Sequence, residues 1–192
     1  MTISNTQNTF NASTTFVNYK ESDELQFIQK GRDHFANVAS CFEFWSENGT
    51  SLDGHEYEHF DGLTRRQLLE EGHDRHEVKG ILEVLETFNS LGSFYEYGLS
   101  FDFIEADEDS DGYYRFQICW GGPSSEIRFF QNGDIEAVYM DWFVGVGFNV
   151  STHEDFEWCK SQFEDCEMID WDSKSYEELY QDAHTYEEEE EY

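Results

Sequence analysis

The sequence has few basic residues. Only 11 of its 192 residues are Lys or Arg, against 43 that are Asp or Glu, and the formal net charge is -32. The one local pair of cations, Arg65 and Arg66, lies close to Asp61, Glu70 and Glu71. A field of this sign repels nucleic acids and anionic membrane surfaces and attracts basic surfaces. We therefore expect a basic protein as partner, and no direct binding to nucleic acid or membrane.

Long apolar runs and paired cysteines are also missing. The sequence has no run of about 18 apolar residues, the length that a membrane-spanning helix needs. Residues 1–16 are polar throughout and do not resemble a signal peptide. The four cysteines, Cys41, Cys119, Cys159 and Cys166, include no CxxC pair and are typical of reduced thiols. We expect a protein without a cofactor in the cytoplasm of the host cell.

The composition is nevertheless that of a folded chain. Hydrophobic residues make up 38% of the sequence and aromatic residues 18%, which excludes a disordered acidic polymer. A chain of 192 residues is long enough for one domain with a core and short for two. We predict a polar N-terminal arm over residues 1–20, a single α+β domain over 21–185 and an acidic tail over 186–192.

Two segments show the apolar spacing of three to four residues that is typical of helices. The first runs from Ser22 to Trp45, and Gly31 could divide it into two pieces. The second follows Asp74, a suitable N-cap with Glu77 three residues later, and ends before Gly92. For this second helix, the sequence predicts both where it begins and where it ends.

From Phe94 the apolar spacing changes to two, which is typical of strands. Four strands joined by short turns are predicted, near residues 94–103, 114–120, 126–131 and 135–142. The glycine-rich residues 144–150 are interpreted as a link to further helical segments near 152–163 and 176–183. The predicted fold class is α+β, an antiparallel four-stranded β-meander covered by helices from the N-terminal half and the C-terminus.

The segment from His55 to His59 reads HEYEH and matches the HExxH pattern of zinc hydrolases. In such enzymes both histidines lie on one face of a helix and bind the metal, while the glutamate, here Glu56, acts as general base. Glycines bound this segment closely, no apolar stripe anchors it, and Arg65 occupies the position of a third ligand. We interpret it as a polar loop. The alternative interpretation is a zinc-dependent hydrolase that binds its metal at His55 and His59.

Residues 107–112 read DEDSDG and match the first half of an EF-hand calcium loop. The twelfth position of that loop requires a glutamate and is Ile118 here, and both flanks are predicted strands instead of helices. We therefore interpret DEDSDG as the acidic tip of a hairpin. Since no nucleophile elbow or phosphate-binding loop is present either, we predict that the protein is not an enzyme.

The acidic residues are densest toward the C-terminus. Residues 153–192 contain 16 acids and two bases, while residues 1–91 contain 16 and seven. Because the apolar spacing assigns most large apolar residues to the core, the carboxylates must cover the outside, where they repel one another. One use for such a field is the imitation of DNA, which carries one negative charge per ~1.7 Å of its axis.

In size, net charge, aromatic-rich core and the acidic run EEEEEY, the chain resembles the acidic DNA-mimic proteins with which phages and plasmids act against restriction or CRISPR systems. The resemblance implies an inhibitor that occupies the DNA-binding site of a host defence nuclease or a CRISPR or restriction complex. Its partner would be a basic DNA- or RNA-binding protein, and a homodimer could lengthen the charged face. The expected partner-binding residues are the hairpin-tip acids and the acids of the C-terminal segment: Asp107, Glu108, Asp109, Asp111, Glu154, Asp155, Glu157, Glu164, Asp165, Glu167, Asp170, Asp172, Glu177, Glu178 and Asp182.

The acidity is also compatible with two different roles. The cytosolic protein of a halophile carries surface acids for solubility in salt. An acidic interaction module that binds a basic protein without competing with DNA would have a similar composition. Competition with DNA distinguishes such a module from a mimic, and the salt dependence of folding identifies a halophilic protein.

Overall fold

The computed structural model describes residues 11–16, 21–142 and 144–181. Asp182 and the predicted acidic tail at 186–192 lie outside the described residues. Within these ranges, two short 3-10 helices occur at Glu58–Phe60 and Trp171–Ser173. No helix in the described part of the chain has the length and apolarity needed to cross a membrane. The other elements, in chain order, are β1 (Asn11–Phe16), α1 (Glu21–Asn48), α2 (Arg65–Glu70), α3 (Arg75–Leu91), α4 (Phe94–Tyr97), β2 (Ser100–Ile104), β3 (Tyr113–Cys119), β4 (Ser124–Phe130), β5 (Ile135–Asp141), β6 (Val144–Asn149), α5 (Glu154–Asp165) and α6 (Tyr176–Leu179).

The strands form one antiparallel sheet in the order β1-β6-β5-β4-β3-β2. Strands β2 to β6 follow one another as a meander, and β1 pairs with β6 at the far edge. The α+β class and the antiparallel meander are confirmed. The predicted number of four strands is wrong, because the described residues form six strands of the sheet.

The two additional strands are β6 and β1. The interpretation of residues 144–150 as a link is wrong, since β6 is buried from Val144 to Phe148 and pairs with strands on both sides. Its valines and phenylalanine alternate with Gly145 and Gly147, which is the two-residue period of a strand. Strand β1 lies within the predicted polar arm and pairs with β6 through a register shift between Ala12 and Thr14.

The first predicted strand begins later than expected. Residues Phe94 to Tyr97 form the helical turn α4, and β2 begins at Ser100. The rings of Phe94 and Tyr97 both lie against Trp45, with centroid distances of 5.8 Å and 5.1 Å. Two residues that are three positions apart share one side of a helix but not of a strand. Burial of this aromatic pair therefore explains the helical turn.

Helix α1 runs without interruption from Glu21 to Asn48, so Gly31 does not divide it. A Cβ at position 31 would lie 2.9 Å from a ring atom of Phe148 and 3.0 Å from a methyl group of Val146. The missing side chain thus permits the close approach of α1 to β6.

Helices α1 and α5 cover the same face of the sheet. The ring of Phe163 in α5 lies 4.1 Å from that of Phe101 in β2. The ring of Phe35 in α1 lies 6.0 Å from that of Phe148 in β6 and 6.4 Å from that of Phe156 in α5. These buried aromatic contacts hold the two helices on the sheet and to each other.

The chain groups into two compact units. One contains the described residues up to Ala39 and from Gly98 onward, and the other is Ser40–Tyr97. The second unit includes α3, which begins after Asp74 in a capping box with Glu77 and ends at Gly92, as predicted. Its core consists of Phe60, Leu68, Val78, Ile81 and Leu85.

Candidate partner-binding surface

Four of the predicted partner-binding acids lie in the loop between β2 and β3. Asp107, Glu108, Asp109 and Asp111 are all exposed, and both flanks of the loop are strands, as predicted. The Asp107 carboxylate accepts hydrogen bonds of 2.9 Å from the backbone N–H groups of Asp109 and Ser110. Within the described residues, the carboxylates of Glu108 and Asp109 have no hydrogen-bond or ion-pair partner. Asp107 therefore fixes the turn, and its two acidic neighbours are available to a partner.

The C-terminal segment lies directly against this loop. The backbone N–H of Ala106 donates to the carbonyl of Glu178 at 2.8 Å, and that of Gly112 donates to the carbonyl of Leu179 at 2.9 Å. The Leu179 side chain is 6% exposed and anchors the segment. Backbone hydrogen bonds and a buried apolar side chain together hold the two chain segments side by side.

Gln181 adds two further connections between these segments. Its backbone N–H donates to Asp111 Oδ1 at 2.8 Å, and its side-chain amide donates to the carbonyl of Glu108. Asp111 is therefore an acceptor that ties the segments together as well as an exposed acid. We call residues 105–111 and 170–181 together the acidic surface. These two ranges contain nine acidic residues and one basic residue, Lys174.

The 3-10 helix Trp171–Ser173 fixes the beginning of the C-terminal segment on the sheet. The Tyr114 hydroxyl of β3 donates to the carbonyl of Asp170 and accepts from its backbone N–H, both at 3.0 Å. The Trp171 ring lies 4.8 Å from the Tyr114 ring. The Lys174 ammonium lies 4.3 Å above the ring of Phe103, a favourable cation–π distance. Asp170 and Asp172 are exposed on this anchored turn.

Glu178 belongs to a capping box at the start of α6. The backbone N–H of Ser175 donates to Glu178 Oε2 at 2.8 Å, and the Ser175 hydroxyl accepts from the Glu178 N–H at 3.3 Å. The hydrogen bond from the Ser175 backbone lowers the pKa of Glu178. A lowered pKa favours the ionised form of the carboxylate, which is the form that a basic partner binds. Glu177 beside it is exposed.

A second group of acidic residues lies on α5 and directly after it. Its buried side chain Phe163 packs against Phe101 of the sheet, and its buried Phe156 packs against Phe35 of α1. Asp155 is half-buried, with Oδ2 3.5 Å from His153 Nδ1, and Glu164 pairs with Lys160 at 2.8 Å. The predicted acids on or directly after this helix are Glu154, Asp155, Glu157, Glu164, Asp165 and Glu167. Because Lys160 offsets Glu164, this group is less uniformly negative than the acidic surface.

The two arginines of the sheet do not offset the charge of the acidic surface. Arg115 donates two hydrogen bonds to the Asp102 carboxylate, at 2.9 Å and 3.1 Å. Arg128 donates to Glu126 at 2.6 Å and lies 3.4 Å from a carboxylate oxygen of Glu136. Both guanidinium groups are thus bound to carboxylates on neighbouring positions of the sheet.

Two adjoining pockets lie beside the acidic surface. Their volumes are about 280 Å³ and about 340 Å³, and both are lined by Asp111, Phe130 and Asn132. Asp134 and Glu136 add two further carboxylates to the smaller pocket. Carboxylates beside an apolar ring suit a lysine or arginine side chain, which has an apolar stem and a cationic end.

The HEYEH segment does not form a zinc-hydrolase helix. Only Glu58–Phe60 is helical, as a 3-10 turn, and His55 precedes it. The Nδ1 atom of His55 accepts a hydrogen bond from the backbone N–H of Tyr57 at 3.0 Å, and the His59 ring lies 3.7 Å from that of Phe60. Among the described residues, no three His, Cys, Asp or Glu side chains are grouped to hold a metal ion. The geometry does not favour the hydrolase alternative.

The structure also brings together three residues that sequence analysis did not connect. His34 Nε2 lies 2.8 Å from Ser125 Oγ, and Cys119 Sγ lies 3.2 Å from the same oxygen. Their sequence separation leaves no motif that could have indicated the contact. Ser125 is fully buried, so its hydroxyl cannot reach a substrate. We interpret the three residues as a polar contact between α1 and the sheet.

Comparisons with known proteins do not assign the chain to a family. No family model matches the chain, and neither a curated protein nor a solved structure does.

Proposed function

We propose that the protein is a DNA mimic, an inhibitor that occupies the DNA-binding site of a host defence nuclease or of a CRISPR or restriction complex. The observation that supports this proposal best is the joining of residues 105–111 to 170–181, nine acidic residues and one basic residue in a single surface. A groove that binds phosphates with Lys and Arg would bind these carboxylates by the same charge-assisted hydrogen bonds.

The anchoring of the acidic surface makes it suited to this task. The turn at Asp107, the hydrogen bonds to Glu178 and Leu179 and the Tyr114 contact hold its backbone in place before any partner binds. A surface that is already ordered loses less conformational entropy on binding than a flexible acidic tail. The carboxylates are also attached to a polypeptide, so a nuclease finds no phosphodiester to cleave.

The two pockets beside the acidic surface give the proposal a more specific contact. A partner that binds DNA presents basic side chains toward the phosphates, and one of these could enter at Asp111 and Asp134. Direct binding of DNA to this protein is disfavoured by the same charges.

A pull-down from host-cell lysate with the tagged full-length chain, repeated with excess duplex DNA, tests the proposal. We expect recovery of a DNA-binding nuclease or guided complex that the added DNA displaces. A partner that is recovered equally with and without DNA would instead identify an interaction module that does not compete with DNA. Recovery of no DNA-binding protein would contradict the proposal.

Removal of two charges from the acidic surface gives a sharper test. We expect the double variant Glu108→Gln/Asp109→Asn to weaken the partner complex about 2- to 30-fold, since each exposed ion pair contributes about 0.2–1 kcal/mol. Unfolding in urea should show equal or higher stability, because these carboxylates bind no described residue. Asp107 and Asp111 are left unchanged because they hold the loop in place.

The matched control removes two charges from the other compact unit. Glu43 and Glu86 are exposed, and neither carboxylate has a partner among the described residues. The variant Glu43→Gln/Glu86→Gln should therefore bind the partner as the unchanged protein does. Equal weakening by both double variants would assign the interaction to total charge and not to the acidic surface.

A further inference from the structure

Two of the five tryptophans are exposed on turns of the sheet. Trp120 follows β3 and is 75% exposed, and Trp142 follows β5 and is 84% exposed. Trp45, by comparison, is completely buried. Indole is the largest side chain with an apolar surface, and exposing it to water is unfavourable unless a partner covers it.

The two indoles belong to the same end of the sheet. A Cβ at Gly122 would lie 3.0 Å from the indole nitrogen of Trp142, so this ring lies against the turn between β3 and β4. Trp120 belongs to the same turn, two positions before Gly122. Asp141 Oδ1 would lie 3.4 Å from the same Cβ, which places a carboxylate beside the indole. We call Trp120, Trp142 and Asp141 the indole tip.

The backbone at Trp142 is unfavourable for this residue type. Its φ of 57° lies in the left-handed region, which glycine and asparagine adopt more readily than an aromatic residue. Within the described part of the chain, neither Trp120 nor Trp142 has a hydrogen-bond, ring or cation contact that would offset this cost. The fold therefore gains little from an indole here, whereas a binding surface gains a rigid aromatic anchor.

The charge around the indole tip indicates what would cover it. Residues 116–127 and 129–159 contain no Lys or Arg. The cations of the flanking strands β3 and β4 are Arg115 and Arg128, and both donate hydrogen bonds to carboxylates. Elsewhere the chain's cations do lie over aromatic rings, since Arg128 is 4.8 Å from the Tyr113 centroid. Tryptophan is the best aromatic acceptor of such contacts, and the guanidinium of arginine also stacks on its plane.

We propose that the indole tip binds arginine side chains of a basic protein partner, as a second contact beside the acidic surface. The inference rests on the proposed function for the identity of that partner, though not for the chemistry of the site. The loop of the acidic surface precedes β3 and the indole tip follows it. The seven residues of β3 separate the two contacts by about 23 Å at ~3.3 Å per residue. A partner surface with arginines at this separation would engage both.

Deca-arginine and deca-lysine peptides test the proposal on the full-length chain, with affinities measured by calorimetry. We expect the unchanged protein to prefer deca-arginine. The variant Trp120→Ala/Trp142→Ala should lose about 2- to 5-fold in deca-arginine affinity per indole and less in deca-lysine affinity, because an exposed cation–π contact is worth that much. If the double variant does not fold, Trp120→Ala alone serves, since its backbone is unstrained.

Two controls separate the indole tip from other effects. Leu25→Ala removes another exposed apolar side chain, 65% exposed on α1, and should bind both peptides as the unchanged protein does. Glu108→Gln/Asp109→Asn should weaken both peptides alike and leave their affinity ratio unchanged. The proposal would be overturned if the ratio of deca-arginine to deca-lysine affinity were the same in the unchanged protein and in the tryptophan variant. Sedimentation data showing that the indoles hold two copies of the chain together would also overturn it.

The peptide measurements test the indole tip, and the pull-down with DNA tests DNA mimicry, so that each can fail without the other. If DNA failed to displace the partner, DNA mimicry would be contradicted. The ratio of deca-arginine to deca-lysine affinity would not be affected by that result. Loss of arginine preference in the tryptophan variant alone would support the indole tip independently of the partner's identity.

Discussion

At the scale of single residues, the acids of the β2–β3 loop divide into two kinds. Asp107 and Asp111 accept hydrogen bonds from backbone N–H groups and hold the surface together, while Glu108 and Asp109 carry charge that the described residues leave unpaired. In the sequence all four are equivalent members of one acidic run. Only the hydrogen bonds of the folded chain show which carboxylates can be neutralised without a structural effect.

His34 gives a prediction at the same scale. Its ring lies 5.4 Å from that of Tyr139, and burial lowers the pKa of His34 below its ordinary value of 6.5. Below pH 6.5 the unfolded chain therefore binds a proton at His34 that the folded chain does not bind. The stability present above pH 6.5 is lost as the pH falls toward the folded pKa. His34→Gln should remove up to about 1.4 kcal/mol per pH unit from this slope.

Urea unfolding of both proteins at pH 7.5, 6.5 and 5.5, values chosen around the ordinary histidine pKa of about 6.5, measures this difference. Both proteins contain the same other six histidines, so the difference between their two curves reports on position 34. Parallel curves of unfolding free energy against pH would show that His34 does not cause the dependence.

At the scale of elements, two glycines in helices have opposite roles. A Cβ at Gly31 in α1 would press against Phe148 of β6, whereas a Cβ at Gly80 in α3 would meet no atom within 4 Å. Both positions look alike in the sequence, as single glycines within an apolar helical pattern. The difference arises from what each helix packs against.

Alanine at these two positions should therefore change stability in opposite directions. Gly80→Ala should raise the free energy of unfolding by roughly 0.5–1 kcal/mol, the difference in helix propensity. Gly31→Ala should gain the same amount from helix propensity, but overpacking should lower the free energy of unfolding by about 1–3 kcal/mol. The expected net change is therefore a loss of about 1 kcal/mol. Chemical denaturation of the two variants measures both effects. Stabilisation by both substitutions would mean that α1 can move away from β6 at little cost.

At the scale of the whole molecule, the net charge of -32 dominates. Carboxylates on one surface repel one another, and this repulsion is present in the folded chain whether or not a partner is bound. Salt screens it, since the Debye length falls from ~30 Å at 0.01 M to ~8 Å at 0.15 M. The same screening weakens attraction to a basic partner.

Salt should accordingly change folding and binding in opposite directions. We expect the free energy of unfolding to rise between about 0.01 M and 0.15 M NaCl, where the Debye length shortens most, and the affinity for the partner to fall over the same range. Urea unfolding and calorimetry at matched salt concentrations measure the two responses. A chain that folds only in molar salt would indicate a halophilic protein, and an affinity that does not change with salt would contradict DNA mimicry.

Much of the fold follows from local sequence pattern. The helix α3 is capped by Asp74 and Gly92 as predicted, because its caps and its apolar stripe lie within one short segment. The Asn132-Gly133 turn joins β4 and β5 for the same reason. Strand β6 was predictable in principle from its alternation of Val and Gly, but glycine is also typical of links, and only pairing on both sides identifies a strand.

The sign of the charge, the α+β class and the antiparallel meander follow from the sequence alone, since these depend on composition and on the spacing of neighbouring residues. Which acids act together depends instead on how the chain folds. The hydrogen bond from Gln181 to Asp111 joins residues that are 70 positions apart, and the His34–Ser125 contact spans 91. The indole tip likewise depends on two turns that the sheet brings to one end. Such contacts are set by the packing of the whole chain, so no local pattern encodes them.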